Sequence, residues 1–198
     1  MIGDLLLFDI DGTIFDSSRF GELYRAELIT RLNISEDTIF TATADYYSTL
    51  ESRTDFEPKT FISFLASRFS VQEARIAEIF WNKEHFESAV FEDAISTLEA
   101  LSKNKTLGVF SQGHTDYQKY KLEQTALHKY FKPEYIFIYA RKLSDEAIAL
   151  LPRDATVIDN KHDVALALSK FANVIWINRN NEEKDPQIKT IHTLSELL

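Results

Sequence analysis

The chain contains no cysteine. Disulfide bonds, thiolate metal sites and a cysteine nucleophile are therefore excluded, and the composition fits a reducing compartment. Basic residues are also scarce, since 22 Lys and Arg stand against 31 Asp and Glu, for a formal charge of -9. This balance argues against general affinity for nucleic acid or for an anionic membrane. A small phosphorylated ligand remains compatible with it, because a local cation can reverse the field inside a cleft.

Long hydrophobic runs, internal repeats and low-complexity segments are lacking as well. The apolar run Leu5–Phe8 lies between Asp4 and Asp9, has no basic segment before it, and is too short for a signal peptide or a membrane span. With 198 residues, 44% of them hydrophobic, the chain can still bury a core without covalent staples. We expect a cytoplasmic protein that forms one domain, or one domain carrying a subdomain.

Short apolar runs alternate with segments of helical periodicity along most of the chain. The predicted strands are Leu5–Phe8, Thr106–Phe110, Tyr135–Tyr139, Thr156–Ile158 and Val174–Ile177. Apolar residues recur at helical spacing in Glu92–Lys103 and again in Val164–Phe171. This alternation predicts an α/β fold with a doubly wound, Rossmann-like parallel sheet.

Residues 17–89 interrupt the alternation with helical patterns alone. One helix is predicted to run to Asn33, and further helix starts are indicated at Ser35, at Glu57-Pro58 and at Ser70-Val71. We therefore predict an α/β core formed by residues 1–16 and 90–198, with a helical cap subdomain inserted at 17–89.

Two carboxylates follow the first predicted strand. Alternate residues of an extended chain point to the same side, so Asp9 and Asp11 can share one site at the carboxyl end of that strand. Gly12 allows a sharp exit and Thr13 can satisfy backbone groups there. Two anions this close favour a bound cation or a shared proton. The alternative is an Asp-rich turn selected for its backbone tolerance.

Polar groups also follow three later strands. Ser111-Gln112-Gly113 offers a hydroxyl and turn N–H groups of the kind that bind phosphate, although a solvated turn is an equal alternative. Lys142 precedes a helix that Ser144 is predicted to start, and an ammonium there can reach the same edge of the sheet. Arg141 competes for this role, and three further lysines are less well placed, namely Lys119, Lys121 and Lys132.

A second carboxylate pair, Asp159 and Asp163, follows the strand Thr156–Ile158. Carboxylates from two strands suit Mg²⁺, which takes a few protein oxygens and keeps several waters. The alternative is that Asp159-Asn160 caps the next helix.

These motifs, in this order, resemble those of the haloacid dehalogenase (HAD) superfamily in its phosphatase branch. The match consists of Asp9-Ile10-Asp11-Gly12-Thr13, Ser111, Lys142, and Asp159 with Asp163, and it spans nearly the whole chain. Ile158 stands where that family often has glycine, and the segment between Lys142 and Asp159 is short for the common pattern.

The resemblance implies a Mg²⁺-dependent phosphatase that acts on a small phosphorylated metabolite. Asp9 is then the nucleophile that forms an aspartyl-phosphate, and Asp11 is the general acid and base. Mg²⁺ would be held by Asp9, the Asp11 carbonyl and Asp159, with Asp163 acting through water or by orienting Lys142. The implied phosphate-binding residues are Thr13, Ser111, Gln112 and Lys142.

Three other functions remain open at this point. A phosphomutase uses the same intermediate, and a non-catalytic HAD-fold protein binds phosphate or regulates without turnover. A receiver-type phospho-acceptor module combines a similar acidic cluster with a Ser or Thr and a Lys, but the helical insertion and the Asp-x-Asp-Gly-Thr order argue against it.

Overall fold

A computed structural model of the chain describes residues 3–198. Within them, six strands form one parallel sheet in the order β3-β2-β1-β4-β5-β6. The strands are β1 (Leu5–Phe8), β2 (Thr106–Gln112), β3 (Ile136–Tyr139), β4 (Thr156–Asp159), β5 (Asn173–Ile177) and β6 (Lys189–Ile191). Helices follow β1 to β4 along the chain, so the predicted doubly wound α/β class is confirmed.

The boundaries of four predicted strands shift by one or two residues. β3 begins one residue later than predicted, β4 ends one residue later, and β5 begins one residue earlier. β2 continues past Phe110 through Ser111 and Gln112, because the backbone of these residues still pairs with β3 in the register Ser111 to Ile138. β6 was not predicted, since it is only three residues long and Ile191 alone is buried. It pairs with the outer side of β5 and completes the sheet.

The helices that accompany the sheet are short. They are α6 (Glu92–Leu101), α7 (Thr115–Gln124), α8 (Asp145–Leu150) and α9 (His162–Leu168). α6 lies within the predicted Glu92–Lys103. α9 begins two residues before the predicted Val164 and ends three residues before Phe171. Ser144 starts α8 as predicted, because its Oγ accepts a hydrogen bond from the Ala147 N–H at 3.3 Å.

Residues Ser17–Ala89 form a second compact unit, made of helices. The helices are α1 (Ser17–Leu32), α2 (Glu36–Ser48), α3 (Pro58–Phe69), α4 (Glu73–Phe80) and α5 (Lys83–Ser88). Ser35 caps α2 through the Thr38 N–H at 3.3 Å, and Pro58 occupies the first turn of α3, as the start signals predict. α4 begins at Glu73, two residues after the predicted Ser70-Val71.

Aromatic side chains fill the interior of this helical unit. Phe20 packs on Phe86 with ring centroids 4.6 Å apart, and Tyr46 packs on Phe61 at 4.9 Å. Rings in tilted contact at these distances are those of a packed core. The other compact unit joins the N-terminal segment up to Asp16 to Val90–Leu198 and contains the whole sheet. No helix among residues 3–198 has both the length and the apolar character needed to cross a bilayer.

Candidate active site

Three of the predicted site residues lie along one edge of the sheet. β1 lies between β2 and β4, and Phe8 at its end is level with Val109 of β2. Asp9 follows Phe8, and its N–H donates to the carbonyl oxygen of the residue before Asp159 at 2.9 Å. Ser111 and Asp159 therefore lie at the same carboxyl edge as Asp9. This is the edge where open parallel sheets bind ligands.

Lys142 connects the carboxylates of β1 and β4. Its Nζ lies 2.7 Å from Oδ1 of Asp9 and 2.6 Å from Oδ2 of Asp159, and the side chain is 1% exposed. The competing Arg141 is exposed and donates to the carbonyl oxygen of its neighbour Ala140 at 2.9 Å. Of the two basic residues after β3, Lys142 is thus the one that enters the site.

Burial dominates the electrostatics of this cluster. It raises the pKa of Asp9 from 3.8 to about 6, the ammonium of Lys142 opposes the shift, and the charges of Asp159 and Asp11 add to it. Burial by itself lowers the pKa of Lys142, but the two carboxylates outweigh it, so this pKa lies above its usual value. The lysine is therefore held as an ammonium between two acids.

Asp11 belongs to a different set of contacts. Its Oδ1 accepts from Lys121 Nζ at 2.5 Å and its Oδ2 accepts from Gln118 Nε2 at 2.6 Å. Gln118 and Lys121 are buried on α7 and face the same way, because residues three apart share a helix face. Lys121 was among the less well placed lysines in the sequence, and Gln118 was not considered. The polar i, i+3 pair on the helix after Ser111 is the signal that could have found them.

The turn after β1 depends on Gly12. Its φ of +80° lies in the left-handed region, and a Cβ there would lie 2.1 Å from Nδ2 of Asn160. The Gly12 N–H donates to the Phe15 carbonyl oxygen at 2.7 Å and the Thr13 N–H donates to that of Ile10 at 3.2 Å. The loop after β1 is therefore packed directly on the loop after β4.

Two buried hydroxyl groups in the loops and strand ends at this edge have no hydrogen-bond partner within residues 3–198. They are Oγ of Ser111 and Oγ1 of Thr13, both predicted to bind phosphate. An unsatisfied buried hydroxyl destabilises the fold, so its presence at a strand end is an observation that favours a ligand. Gln112 at the end of β2 contributes its carbonyl oxygen to Gln118 at 3.0 Å; its predicted contact with phosphate stays a prediction.

Asp163 is not brought to Lys142. It is exposed in the first turn of α9, whereas Asp9 and Asp159 make the contacts that orient the lysine. The helix-capping alternative for Asp159-Asn160 is also not what the structure contains, because Asp159 Oδ1 accepts from the Lys161 N–H at 2.8 Å and Lys161 itself occupies the N-cap. A water-mediated contact from Asp163 to a metal remains a prediction.

The oxygen atoms at this edge suit a magnesium ion. No group of three or more His, Asp or Glu side chains that could hold a metal occurs within residues 3–198. Mg²⁺ needs fewer, because one or two carboxylates, water and substrate oxygens complete its shell. Oδ2 of Asp9 receives no hydrogen bond from the described part of the chain. Oδ2 of Asp159 accepts from Lys142 Nζ, which also donates to Oδ1 of Asp9. These two carboxylates and the Asp11 carbonyl are a fitting donor set.

The chain is similar in sequence or in fold to several known proteins. No family model matches the chain. It is 24% identical over 217 residues to the pyrimidine 5'-nucleotidase YjjG of Escherichia coli strain K12, with 98% of this chain and 94% of that protein covered. The crystal structure of a putative haloacid dehalogenase-like hydrolase from Burkholderia xenovorans LB400 matches with a TM-score of 0.71 and 15% identity over 100% of this chain and 95% of that chain.

A second solved structure, the magnesium-bound putative HAD-hydrolase YfnB of Bacillus subtilis, matches with a TM-score of 0.67 and 16% identity over 100% of this chain and 97% of that chain. Structures described as a HAD phosphatase, a 2-haloacid dehalogenase and a putative β-phosphoglucomutase also match over at least 98% of this chain. The resemblance seen in the motifs is thus confirmed, and the chain has the fold of the haloacid dehalogenase-like hydrolases.

Proposed function

We propose that the protein is a Mg²⁺-dependent phosphatase that hydrolyses a small phosphorylated metabolite through an aspartyl-phosphate on Asp9. The observation that carries this proposal is the buried ammonium of Lys142 between Asp9 and Asp159. At the same carboxyl edge of the sheet lies the buried hydroxyl of Ser111, which has no hydrogen-bond partner within residues 3–198. A fixed cation and hydroxyl beside a carboxylate nucleophile suit a phosphoryl group, whose negative charge has to be stabilised during transfer.

In the first step, an oxygen of Asp9 attacks phosphorus. The bond between phosphorus and the leaving oxygen breaks, and its electron pair stays on that oxygen. Asp11, whose carboxylate takes up a proton when the phosphate dianion binds beside it, supplies that proton to the leaving oxygen. The products of this step are the free alcohol and an acyl-phosphate on Asp9.

In the second step, water attacks the same phosphorus atom. Asp11, now ionised, takes a proton from the water, and the bond between phosphorus and the Asp9 oxygen breaks. Inorganic phosphate leaves and both aspartates return to their initial states. The two steps together consume one water molecule.

Binding of the phosphoryl oxygens falls to Ser111, Thr13, Gln112 and Lys142. Asp9, Asp159 and the carbonyl of Asp11 would hold the magnesium ion, which, when bound, offsets the repulsion between the anionic nucleophile and the phosphate dianion. The helical unit Ser17–Ala89 would serve as the cap that excludes water and selects the leaving group. Selectivity for the metabolite is expected to depend on that unit.

Release of inorganic phosphate from a substrate panel tests the proposal. The panel contains nucleoside monophosphates, as suggested by the nucleotidase relative, together with sugar phosphates. We expect multiple turnover with Mg²⁺, none in EDTA, and loss of activity in both Asp9→Asn and Asp11→Asn. Asp154→Asn is the matched control, because Asp154 is exposed in the turn before β4.

Four outcomes would contradict the proposed function. Unchanged activity of Asp9→Asn would show that Asp9 is not the nucleophile. Release of chloride from a 2-haloacid, without release of phosphate from the esters, would indicate a dehalogenase. Transfer of the phosphate to a second hydroxyl of a sugar phosphate, without free phosphate, indicates the phosphomutase alternative. Binding of phosphate esters without any turnover leaves the non-catalytic alternative.

A further inference from the structure

The carboxylate of Asp11 is held by two side chains that reach it from the interior. Lys121 and Gln118 are 4% and 3% exposed, whereas the Asp11 side chain is 32% exposed. Each donor takes a different oxygen, at 2.5 Å for Lys121 and 2.6 Å for Gln118. Two hydrogen bonds to different oxygens fix the rotation of a carboxylate as well as its position.

Two aromatic rings flank the ammonium of Lys121. Its Nζ lies 4.4 Å from the centroid of the Tyr117 ring and 5.2 Å from that of Phe15. An ammonium in such a place is costly to bury unless it is paired, and an apolar side chain of the same length would fit without that cost. The pairing with Asp11 is therefore the reason for a lysine at this position.

Gln118 links Asp11 to the end of β2. The same Nε2 that donates to Asp11 also donates to the Gln112 carbonyl oxygen at 3.0 Å. Gln112 is next to Ser111, the candidate phosphate ligand. The face of α7 thus ties the position of the Asp11 carboxylate to the strand end that would bind the phosphoryl group.

We propose that Lys121 and Gln118 are positioning residues that aim the Asp11 carboxyl group at the leaving oxygen of the substrate. This inference rests on the proposed function, in which Asp11 gives a proton to that oxygen. In this arrangement Lys142 pairs with Asp9 and Asp159, whereas Lys121 pairs with Asp11, the proposed proton donor. Substrate binding does not depend on Lys121.

The leaving group of the substrate distinguishes a role in positioning the proton donor from a general effect of the substitution on activity. An alkyl phosphate leaves as a poor, strongly basic alkoxide and needs the proton, whereas p-nitrophenolate leaves without it. kcat/KM reports the steps up to the first irreversible one, which here is formation of the acyl-phosphate. We expect Lys121→Met to lower kcat/KM about 10-fold or more for the best alkyl phosphate of the panel and less than about 3-fold for p-nitrophenyl phosphate.

Three further variants complete the experiment. Lys121→Arg keeps a cation and is expected to recover most of the alkyl phosphate activity. Gln118→Met is expected to show the same leaving-group dependence as Lys121→Met, and it tests the inference independently if one variant folds poorly. Lys119→Met changes an exposed lysine of the same helix and is expected to match the parent protein on both esters.

The outcomes separate the two proposals. An equal loss on both esters, a change confined to KM, or no loss in either Lys121→Met or Gln118→Met would overturn the positioning role alone. If the parent protein released phosphate from neither ester with Mg²⁺ present, the proposed function would fail and this inference with it.

Discussion

Replacing the buried carboxyl group of Asp9 by an amide is expected to make the protein more stable at high pH. Burial raises the pKa of Asp9 to about 6, so the folded protein binds this proton more tightly than the unfolded chain does. The stability due to protonated Asp9 is complete below pH 3.8 and is lost as pH rises through 6. Asparagine does not titrate and loses nothing over that window.

The magnitude follows from the size of the shift. A rise from 3.8 to about 6 corresponds to about 3 kcal/mol of destabilisation by the ionised carboxylate above pH 7, at about 1.4 kcal/mol per pH unit. By the same relation, about half of that penalty is already present at pH 5. The gain in unfolding free energy of Asp9→Asn over the parent should therefore increase by about 1–2 kcal/mol between pH 5 and pH 8.

Urea unfolding in EDTA measures this difference. Trp81 and Trp176 are the two tryptophans of the chain, so a Trp81→Phe background leaves Trp176 in β5 as the reporter of the sheet. Packing changes caused by the amide cancel when the gain at pH 5 is subtracted from the gain at pH 8. Asp154→Asn, which changes an exposed aspartate in the turn before β4, is the matched control. A gain for Asp9→Asn that is flat, or that decreases as pH rises, would refute the desolvation argument.

Three more substitutions test the site. Ser111→Ala removes a buried hydroxyl that has no partner within residues 3–198, so the free energy of unfolding in urea should stay unchanged or rise by about 1 kcal/mol. KM for the phosphate ester should rise. A loss of stability of more than about 1 kcal/mol would contradict the absence of a partner. Gly12→Ala should lower stability by about 2 kcal/mol, since φ is +80° and the new Cβ meets Asn160; an unchanged midpoint would show a different turn. Lys142→Met leaves two buried carboxylates without their cation, so the free energy of unfolding at pH 8 in EDTA should fall by about 3–5 kcal/mol. Added Mg²⁺ should restore part of this stability, and equal losses with and without Mg²⁺ would contradict the proposed metal site.

The sequence predicted β1 to the residue, and that strand is buried along its whole length. Leu5–Phe8 is a continuous apolar run because helices cover both sides of a parallel sheet. Lys189–Ile191 at the edge carries no such run, and only its pairing with β5 makes it a strand. The end of β2 was also missed, because Ser111 and Gln112 are polar. Their backbone still pairs with β3, although their side chains belong to the site. Backbone pairing between distant segments was not visible in either case.

Within the candidate site, strand-end position was the useful signal. It pointed to Lys142 and its neighbour Arg141, of which the family resemblance implied Lys142, and the structure places Lys142 between the two aspartates. The contacts of Asp11 gave no such signal, because Gln118 and Lys121 are 107 and 110 residues away along the chain. They come from the body of a helix whose packing angle decides which of its polar residues reaches the site. That angle is a property of tertiary packing that no local pattern encodes.

The charges gathered at the sheet edge give a physical reason for the proposed divalent ion. The carboxylates of Asp9, Asp11 and Asp159 face two ammonium groups, those of Lys121 and Lys142, so the cluster already carries one excess negative charge. A phosphate dianion adds two more in a region where burial weakens screening. A divalent cation cancels that addition and restores the balance of the empty cluster. Phosphate esters are therefore expected to bind tightly only together with the metal, and neither lysine alone can replace it.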